Sequence, residues 1–310
     1  MFDKEYINKL KDKYNYDDKT IKILEEIIPK VLEYYGKENE LTVLEALLNC
    51  IIVPCNSYQN ISKVKQEKQQ TKKIGMRQVG DIDLIRGEGV YYSSPKIVYN
   101  EPTNTFEIEK IERVIITPHQ FNYDSPKGKE VLTYALCKLT KSYKDEYKIE
   151  ENILTKRYGI SEEVMQIIKN KDDIYLEITN EKGKALEEGF TIYDTEKIVS
   201  SVLKDEYQSY DYKSLFIIGY ILKEKFNFQD EINDDEISPN QEHFEKLMNK
   251  KDKELMDKCD KCFNLEQEML ISMSREEKDQ IGKQLESLKE NEIFSLLIEI
   301  YKTKKDYIKN

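Results

Sequence analysis

Apolar residues recur at intervals of three and four along residues 131–143, which is the spacing of one helix face. Ser125 and Pro126, just upstream, are typical of an N-cap and of the first helical position. The pattern therefore predicts a helix with one buried face. Tyr134 and Lys138, four residues apart, lie together on one side of it.

The first fifty residues are also predicted to be helical. A short helix is predicted around 6–10, and a second over 21–35 that ends at Gly36 and is kinked or split by Pro29. Thr42 and Glu45 form a capping-box pattern, which predicts the start of a third helix. Residues 50–54 then resemble a short strand.

β-branched and aromatic residues between prolines predict several strands in the middle of the chain, at 90–92, 97–99, 106–109, 114–117, 147–155 and 174–179. Helices are predicted from Gly183 onward and over 215–226. The acidic residues 229–240 are the candidate linker. Two amphipathic helices, 241–272 and 276–308, then predict an antiparallel hairpin, with a capping box at Ser274 and Glu277 between them.

These elements predict an α+β fold in three regions. They are a helical N-terminal region (1–56), an α+β core (57–235) and a C-terminal helical hairpin (236–310). We found no internal repeat that would suggest a solenoid.

Charge and composition narrow the functional class. The 310 residues carry a net charge of −11, which argues against a broad nucleic-acid surface. No apolar run is long enough for a membrane span or a signal core, so we expect a cytoplasmic protein without a membrane partner. Abundant Lys, Ile, Asn and Tyr, with no Trp, are typical of an A/T-rich bacterial genome. The basic stretch 57–77 favours a solvated segment over a phosphate site, because no aromatic residues are interleaved.

Cysteine and histidine offer little material for a metal centre. The chain has five Cys, which we expect to be reduced thiols, and only two His, His119 and His243. Cys259 and Cys262 resemble half of a zinc or redox site, but their spacing with neighbouring apolar residues favours the core face of a helix. Cys137 with His119 is a conceivable nucleophile pair. A buried core thiol is the favoured interpretation of Cys137.

Three segments together resemble bacterial zincin-like proteins of the glutamate-zincin metallopeptidase type. They are residues 131–143, 150–160 and 181–189, and the resemblance covers about residues 80 to 230. It implies a zincin-like core with a small sheet and two site helices. In that family an H-E-x-x-H helix supplies two zinc-binding His and a Glu base, and a later helix supplies a Glu ligand. Glu188 is the matching third position here, with Glu187 as the alternative.

The motif itself is degenerate in this chain. The five corresponding residues are Tyr134, Ala135, Leu136, Cys137 and Lys138. A phenol is a poor zinc ligand at neutral pH, an ammonium repels the metal, and alanine has no base. We therefore predict no zinc, no cofactor and no metal-dependent peptide cleavage.

The predicted loss of zinc suggests that a side-chain cation takes the place of the metal ion. If the fold persists, the ammonium of Lys138 can replace the metal's charge beside Glu188. Breaking such a buried pair costs about 3–5 kcal/mol, so Lys138→Ala should be destabilising. The alternative is that Lys138 extends to solvent.

The function predicted from sequence is that of an inactive metallopeptidase-like protein, a pseudopeptidase that binds a protein or peptide. Two alternatives remain open. One is an active zincin-like metallopeptidase or other hydrolase whose ligands are misassigned, or whose Tyr134, Lys138 and Glu188 perform acid–base chemistry. The other is a helical protein-interaction module that acts through the C-terminal hairpin.

Overall fold

A computed structural model describes residues 4–36, 39–54, 90–117, 122, 124–171, 173–204, 219, 222–223, 257–262, 264–265, 268 and 274–288. Within these ranges the chain is a mixture of helices and small sheets, which confirms the α+β class. The elements, in chain order, are α1 (Lys4–Tyr14), α2 (Asp18–Tyr35), α3 (Glu40–Leu48), β1 (Ile51–Pro54), β2 (Val90–Asn100), β3 (Thr105–Thr117), α4 (Pro126–Ser142), β4 (Glu146–Glu150), β5 (Ile153–Tyr158), β6 (Ser161–Asn170), β7 (Asp173–Lys182), α5 (Lys184–Leu203) and α6 (Arg275–Ser287).

The N-terminal helices differ from the prediction in two places. Helix α2 continues through Pro29, so Pro29 does not split the helix, and the predicted alternative of a kink stays a prediction. Proline leaves one carbonyl of the preceding turn without its N–H partner, but the buried apolar face of α2 holds the helix together. The capping box at Thr42 is also wrong, because Asn39 occupies the N-cap and Thr42 lies inside α3. Gly36 ends α2 with φ of 88°, as predicted.

Helix α4 is the helix predicted from the 131–143 pattern. The Ser125 hydroxyl accepts a hydrogen bond from the Gly128 N–H, and Pro126 is the first helical residue. Its buried face packs against α2, α3 and the β2–β3 hairpin.

Two sheets complete the described fold. The first has the order β1-β3-β2, with β1 parallel and β2 antiparallel to β3, and a register shift between Lys96 and Ile97. The strands predicted separately between 90 and 117 are therefore only two long strands. The second sheet has the order β4-β5-β6-β7. The predicted strand 147–155 is interrupted at Glu151, which has φ of 56°, and β6 was not predicted.

The later elements agree with the prediction where the structure describes them. Residues 257–262 and α6 are helical, and the Ser274 hydroxyl caps α6 through the Glu277 N–H. The basic stretch 57–77, the linker 229–240, and most of the predicted helices 215–226, 241–272 and 276–308 lie outside the described residues.

The chain divides into two compact units. Unit 1 comprises Met1–Lys156, Val164–Thr179 and Asp194–Gln208, and unit 2 comprises Arg157–Glu163, Asn180–Tyr193 and Ser209–Asn310. In unit 1, Leu154, Met165 and Ile167 form a buried cluster against the β2–β3 hairpin. The three predicted domains, with boundaries at 57 and 236, stay a prediction.

Candidate functional site

The degenerate motif lies in the middle of α4 with its central residues in the core. Ala135, Leu136 and Cys137 are buried, whereas Tyr134 and Lys138 are half-buried on one face. The side chain at the position that the resemblance assigns to a catalytic Glu is Ala135, a methyl group without solvent access.

The residues present do not fit a catalytic zinc. A zinc site takes three protein donors of imidazole, thiolate or carboxylate type, and none of Tyr134, Ala135 and Lys138 is such a donor. Across the ranges that the structure describes, no group of three or more His, Cys, Asp or Glu is arranged to hold a metal ion. His119 and His243 lie outside those ranges. The absence of zinc stays a prediction.

A buried ion pair lies one helical turn beyond the motif. The Nζ atom of Lys141 on α4 is 3.0 Å from Oδ2 of Asp194 on α5, and their side chains are 1% and 0% exposed. Both residues belong to unit 1. The motif spacing singled out Lys138 and missed Lys141. The helical pattern itself contained a signal, because Lys141 follows Cys137 by four residues and so falls on the same side of the helix as that buried residue.

Two tyrosines from α2 also donate hydrogen bonds to this carboxylate. The Tyr34 hydroxyl donates to Oδ1 of Asp194 at 2.5 Å, and the Tyr35 hydroxyl donates to Oδ2 at 3.0 Å. Asp194 therefore accepts from an ammonium and two phenols in a space closed to solvent. Such satisfaction is what a buried carboxylate requires. The cluster of Lys141, Asp194, Tyr34 and Tyr35 is called the buried charge cluster below.

The Cys137 thiol lies beside this cluster. Burial raises its pKa to about 12, and the negative charge of Asp194 adds to the effect. A nucleophilic cysteine needs a lowered pKa, so Cys137 has the character of a core thiol, as predicted. Its suggested partner His119 lies outside the described residues.

The two candidate third-ligand residues have different surroundings. Glu187 is fully buried, and its Oε2 accepts a hydrogen bond from the Ile160 N–H at 3.3 Å. Gly159, with φ of +51°, lies against the same carboxylate. Glu187 thus supports the β5–β6 turn, while Glu188, the next residue, is half-buried. The pairing of Lys138 with Glu188 stays a prediction.

The strand β5 ends at this turn with a partly buried phenol, that of Tyr158. The Tyr158 hydroxyl donates to Oε1 of Glu163 at 2.9 Å. Burial raises the Tyr158 pKa well above its usual value, and the negative charges of Glu163, Glu187 and Glu188 raise it further. Tyr158 is therefore a neutral hydrogen-bond donor here.

A second polar network in unit 1 was missed by the sequence reasoning. Oδ2 of Asp145 accepts hydrogen bonds at 2.9 Å from the hydroxyls of both Ser93 and Tyr147, and the Lys156 ammonium is 4.0 Å away. Burial raises the Asp145 pKa, while the charges of Lys156 and Arg113 oppose that shift. These residues come from four different strands and from the loop before β4, so no local sequence motif indicates the network.

The remaining cysteine candidates are structural in character. Cys259 and Cys262 are buried thiols outside any disulfide, on helical residues 257–262, which confirms the core-face interpretation. Burial raises the pKa of Cys259. Cys259 therefore differs from the low-pKa cysteines of redox sites.

No helix in the described ranges is long and apolar enough to cross a membrane. In comparisons with known proteins, no family model, no curated protein and no solved structure matches the chain.

Proposed function

We propose that this chain is a non-catalytic relative of the glutamate zincins, a pseudopeptidase that binds a protein or peptide instead of cleaving it. The observation that carries the proposal is the identity and burial of two side chains on α4. A fully buried Ala135 stands at the position of the base, and a cation, Lys138, stands at a ligand position. Neither side chain can activate a water or hold a zinc ion.

The buried charge cluster supports the same conclusion. In a zincin the metal draws together ligands from the two site helices. Here Lys141 and Asp194 link α4 to α5 directly, at 3.0 Å and without exposure. Each charge of this pair is compensated by the other without a metal ion.

The test is to restore the ligands and ask whether zinc returns. Tyr134→His with Lys138→His places two imidazoles four residues apart on a half-buried face, which is the spacing of a zinc helix. Ala135 is left unchanged, because a glutamate there would bury a carboxylate. We expect this double variant to bind one zinc per chain by elemental mass spectrometry and calorimetry. Adding Glu188→Gln should weaken the affinity at least tenfold. Adding Glu187→Gln is the matched control and should weaken it less.

Two outcomes contradict the proposal in different ways. Stoichiometric zinc or zinc-dependent peptide cleavage in the wild-type protein would show that the ligands are elsewhere. A correctly folded double-His variant whose zinc affinity ignores Glu188 would show that α4 and α5 do not form a zincin-like site.

A further inference from the structure

Strand β7 lies at one edge of the second sheet, with β6 as its neighbour among the strands that the structure describes. Its residues 173–179 belong to unit 1. Glu177, Ile178 and Thr179 are exposed, so this length of the edge is open to solvent. The outward N–H and C=O groups of an open edge strand are a template on which a further strand can pair.

The other edge strands that the structure describes carry features that oppose such pairing. Strand β1 has four residues and ends at Pro54, and β2 contains Pro95, Lys96 and a register shift. Strand β4 has five residues with Lys148 at its centre. Short length, proline, lysine and bulges all protect sheet edges from association. Residues 173–179 contain no proline and no lysine, so this edge lacks the protection that the others have.

One face of β7 carries an apolar row that is only partly covered. Ile174 and Leu176 pack against the buried cluster of unit 1 described above. Ile178 falls on the same face by the two-residue period of a strand, but it is 37% exposed. The apolar row is thus covered at its beginning and open at its end.

A second copy of the same strand would complete this row. If two β7 strands pair antiparallel with Leu176 opposite Leu176, Ile178 of each copy lies opposite Ile174 of the other. Each exposed isoleucine then continues the covered part of the partner's apolar row. The surface is self-complementary, as the interface of a two-fold dimer must be.

The charged residues of the strand select the same register. With Leu176 at the centre, Glu177 lies opposite the phenol of the partner's Tyr175. A centre at Tyr175 would place Asp173 opposite the partner's Glu177, and a centre at Glu177 would place that residue opposite its own copy. Like charges directly opposite each other destabilise a strand pair. The register about Leu176 is therefore the one that joins apolar residues without opposing two acids.

We propose that residues 173–179 are a self-association surface, through which two copies of this chain pair their β7 strands antiparallel about Leu176. The two sheets would then become one continuous sheet across the dimer. The contact is small for a protein interface, so we expect a weak dimer with a dissociation constant in the micromolar range or above. This inference does not depend on the pseudopeptidase proposal.

Sedimentation equilibrium of the full-length protein, over a wide range of micromolar concentrations, tests the surface. We expect the average mass to rise toward twice the chain mass. Ile178→Lys should weaken the dimer about tenfold or more, because the two-fold axis brings the lysine into the apolar row twice. Ile153→Lys is the matched control. Ile153 is 46% exposed but lies on β5, an interior strand of the same sheet, so its substitution should leave the dimer unchanged.

A charge swap tests the register. Tyr175→Lys places a cation opposite the partner's Glu177 and should tighten the dimer, whereas Tyr175→Glu opposes two acids and should weaken it. Ile153→Lys and Ile153→Glu make the same change of net charge away from the edge and should not differ from each other. Equal dimer affinities for the two Tyr175 variants overturn the proposed pairing.

Hydrogen exchange of the wild type provides a readout that needs no variant. Amides of residues 173–179 should become more protected as protein concentration rises, while those of the protected edge β4 should not change. A wild type that stays monomeric overturns the proposal. So does a dimer that forms without added protection at 173–179, or one that a folded Ile178→Lys variant forms as tightly as wild type.

Discussion

The ammonium of Lys141 lies 3.0 Å from the carboxylate of Asp194, and neither side chain is exposed to solvent. The sequence predicted that Lys138 of α4 replaces the charge of a metal ion beside a carboxylate of the later helix. The structure contains a pair of this type one turn further along. Its energetics can be measured directly.

Lys141→Met should lower the free energy of unfolding by about 3–5 kcal/mol, because it leaves the Asp194 carboxylate buried without its cation. Adding Asp194→Asn removes that charge and keeps an acceptor for one of the two tyrosine hydroxyls, so the double variant should recover part of the loss. Urea denaturation of the four proteins gives the coupling energy.

An exposed pair provides the control for this cycle. Lys30 and Glu33 on α2 form a surface salt bridge, and Lys30→Ala should change stability little. A Lys141→Met protein as stable as wild type would show that the buried pair is not a structural link.

The sequence-based pairing of Lys138 with Glu188 needs its own cycle. If the pair exists, Lys138→Ala destabilises the fold and Glu188→Gln in the same chain restores stability. Because Lys138 is half-buried, the coupling energy should be smaller than that of Lys141 with Asp194. Additive effects of the two substitutions in urea denaturation would remove the pair from consideration.

Cys137 should make stability fall at alkaline pH. Its folded-state pKa of about 12 lies above the value of 9.0 expected for an unfolded thiol, so the folded chain retains a proton that the unfolded chain loses. The stability from this group is therefore complete below pH 9 and is lost as pH rises toward 12. Between pH 9 and 10.5, wild type should lose up to about 1.4 kcal/mol per pH unit more than Cys137→Ala. Parallel pH profiles of the two proteins would contradict this.

Gly159→Ala should destabilise the β5–β6 turn. The position has φ of +51°, which costs an L-residue about 1–2 kcal/mol. A methyl group there would also lie 2.9 Å from Cδ of Glu187 and push the carboxylate off the Ile160 N–H. Glu187→Ala should reduce the additional cost of Gly159→Ala, and thermal melting of the single and double variants measures the difference. Purely additive effects would show that the close approach is not important.

Local signals account for the parts of the fold that were predicted correctly. The Ser125 cap and the apolar spacing of α4 act within a few residues, so they can be recognised without tertiary structure. The sequence of β6, Ser161–Asn170, lacks strict alternation, and its strand form comes from pairing with β5 and β7. The capping pattern at Thr42 also failed to locate a helix start, because the third helix has its N-cap at Asn39.

The site residues that were missed depend on contacts across the chain. Asp260 lies 75 residues after Ala185, from whose N–H it accepts a hydrogen bond at the start of α5, and no residue of that helix indicates the partner. Lys141 was passed over because the motif spacing directed attention to Lys138. Asp194, the partner of Lys141, also accepts hydrogen bonds from Tyr34 and Tyr35 of the distant helix α2, and no local pattern indicates that these segments meet.

Asp145 should give the opposite pH response to a carboxylate in an ordinary surface salt bridge. Burial raises its folded-state pKa above the usual 3.8, so the folded chain takes up a proton before the unfolded chain as pH falls. The stability from this group is thus complete below pH 3.8 and is lost as pH rises through the folded-state pKa. Relative to Asp145→Asn, wild type should become more stable on acidification from pH 7 to pH 4.

The groups that face Asp145 determine how this experiment is read. Asparagine retains an acceptor for Ser93 and Tyr147, so the variant changes the charge next to Lys156 and Arg113 while keeping the hydroxyl contacts. Glu146→Gln, an exposed neighbour on β4, is the control for general charge effects. Urea denaturation at each pH gives the difference between wild type and variant. If the wild type instead lost stability relative to Asp145→Asn on acidification, Lys156 and Arg113 would outweigh burial, and Asp145 would stabilise the network as an anion.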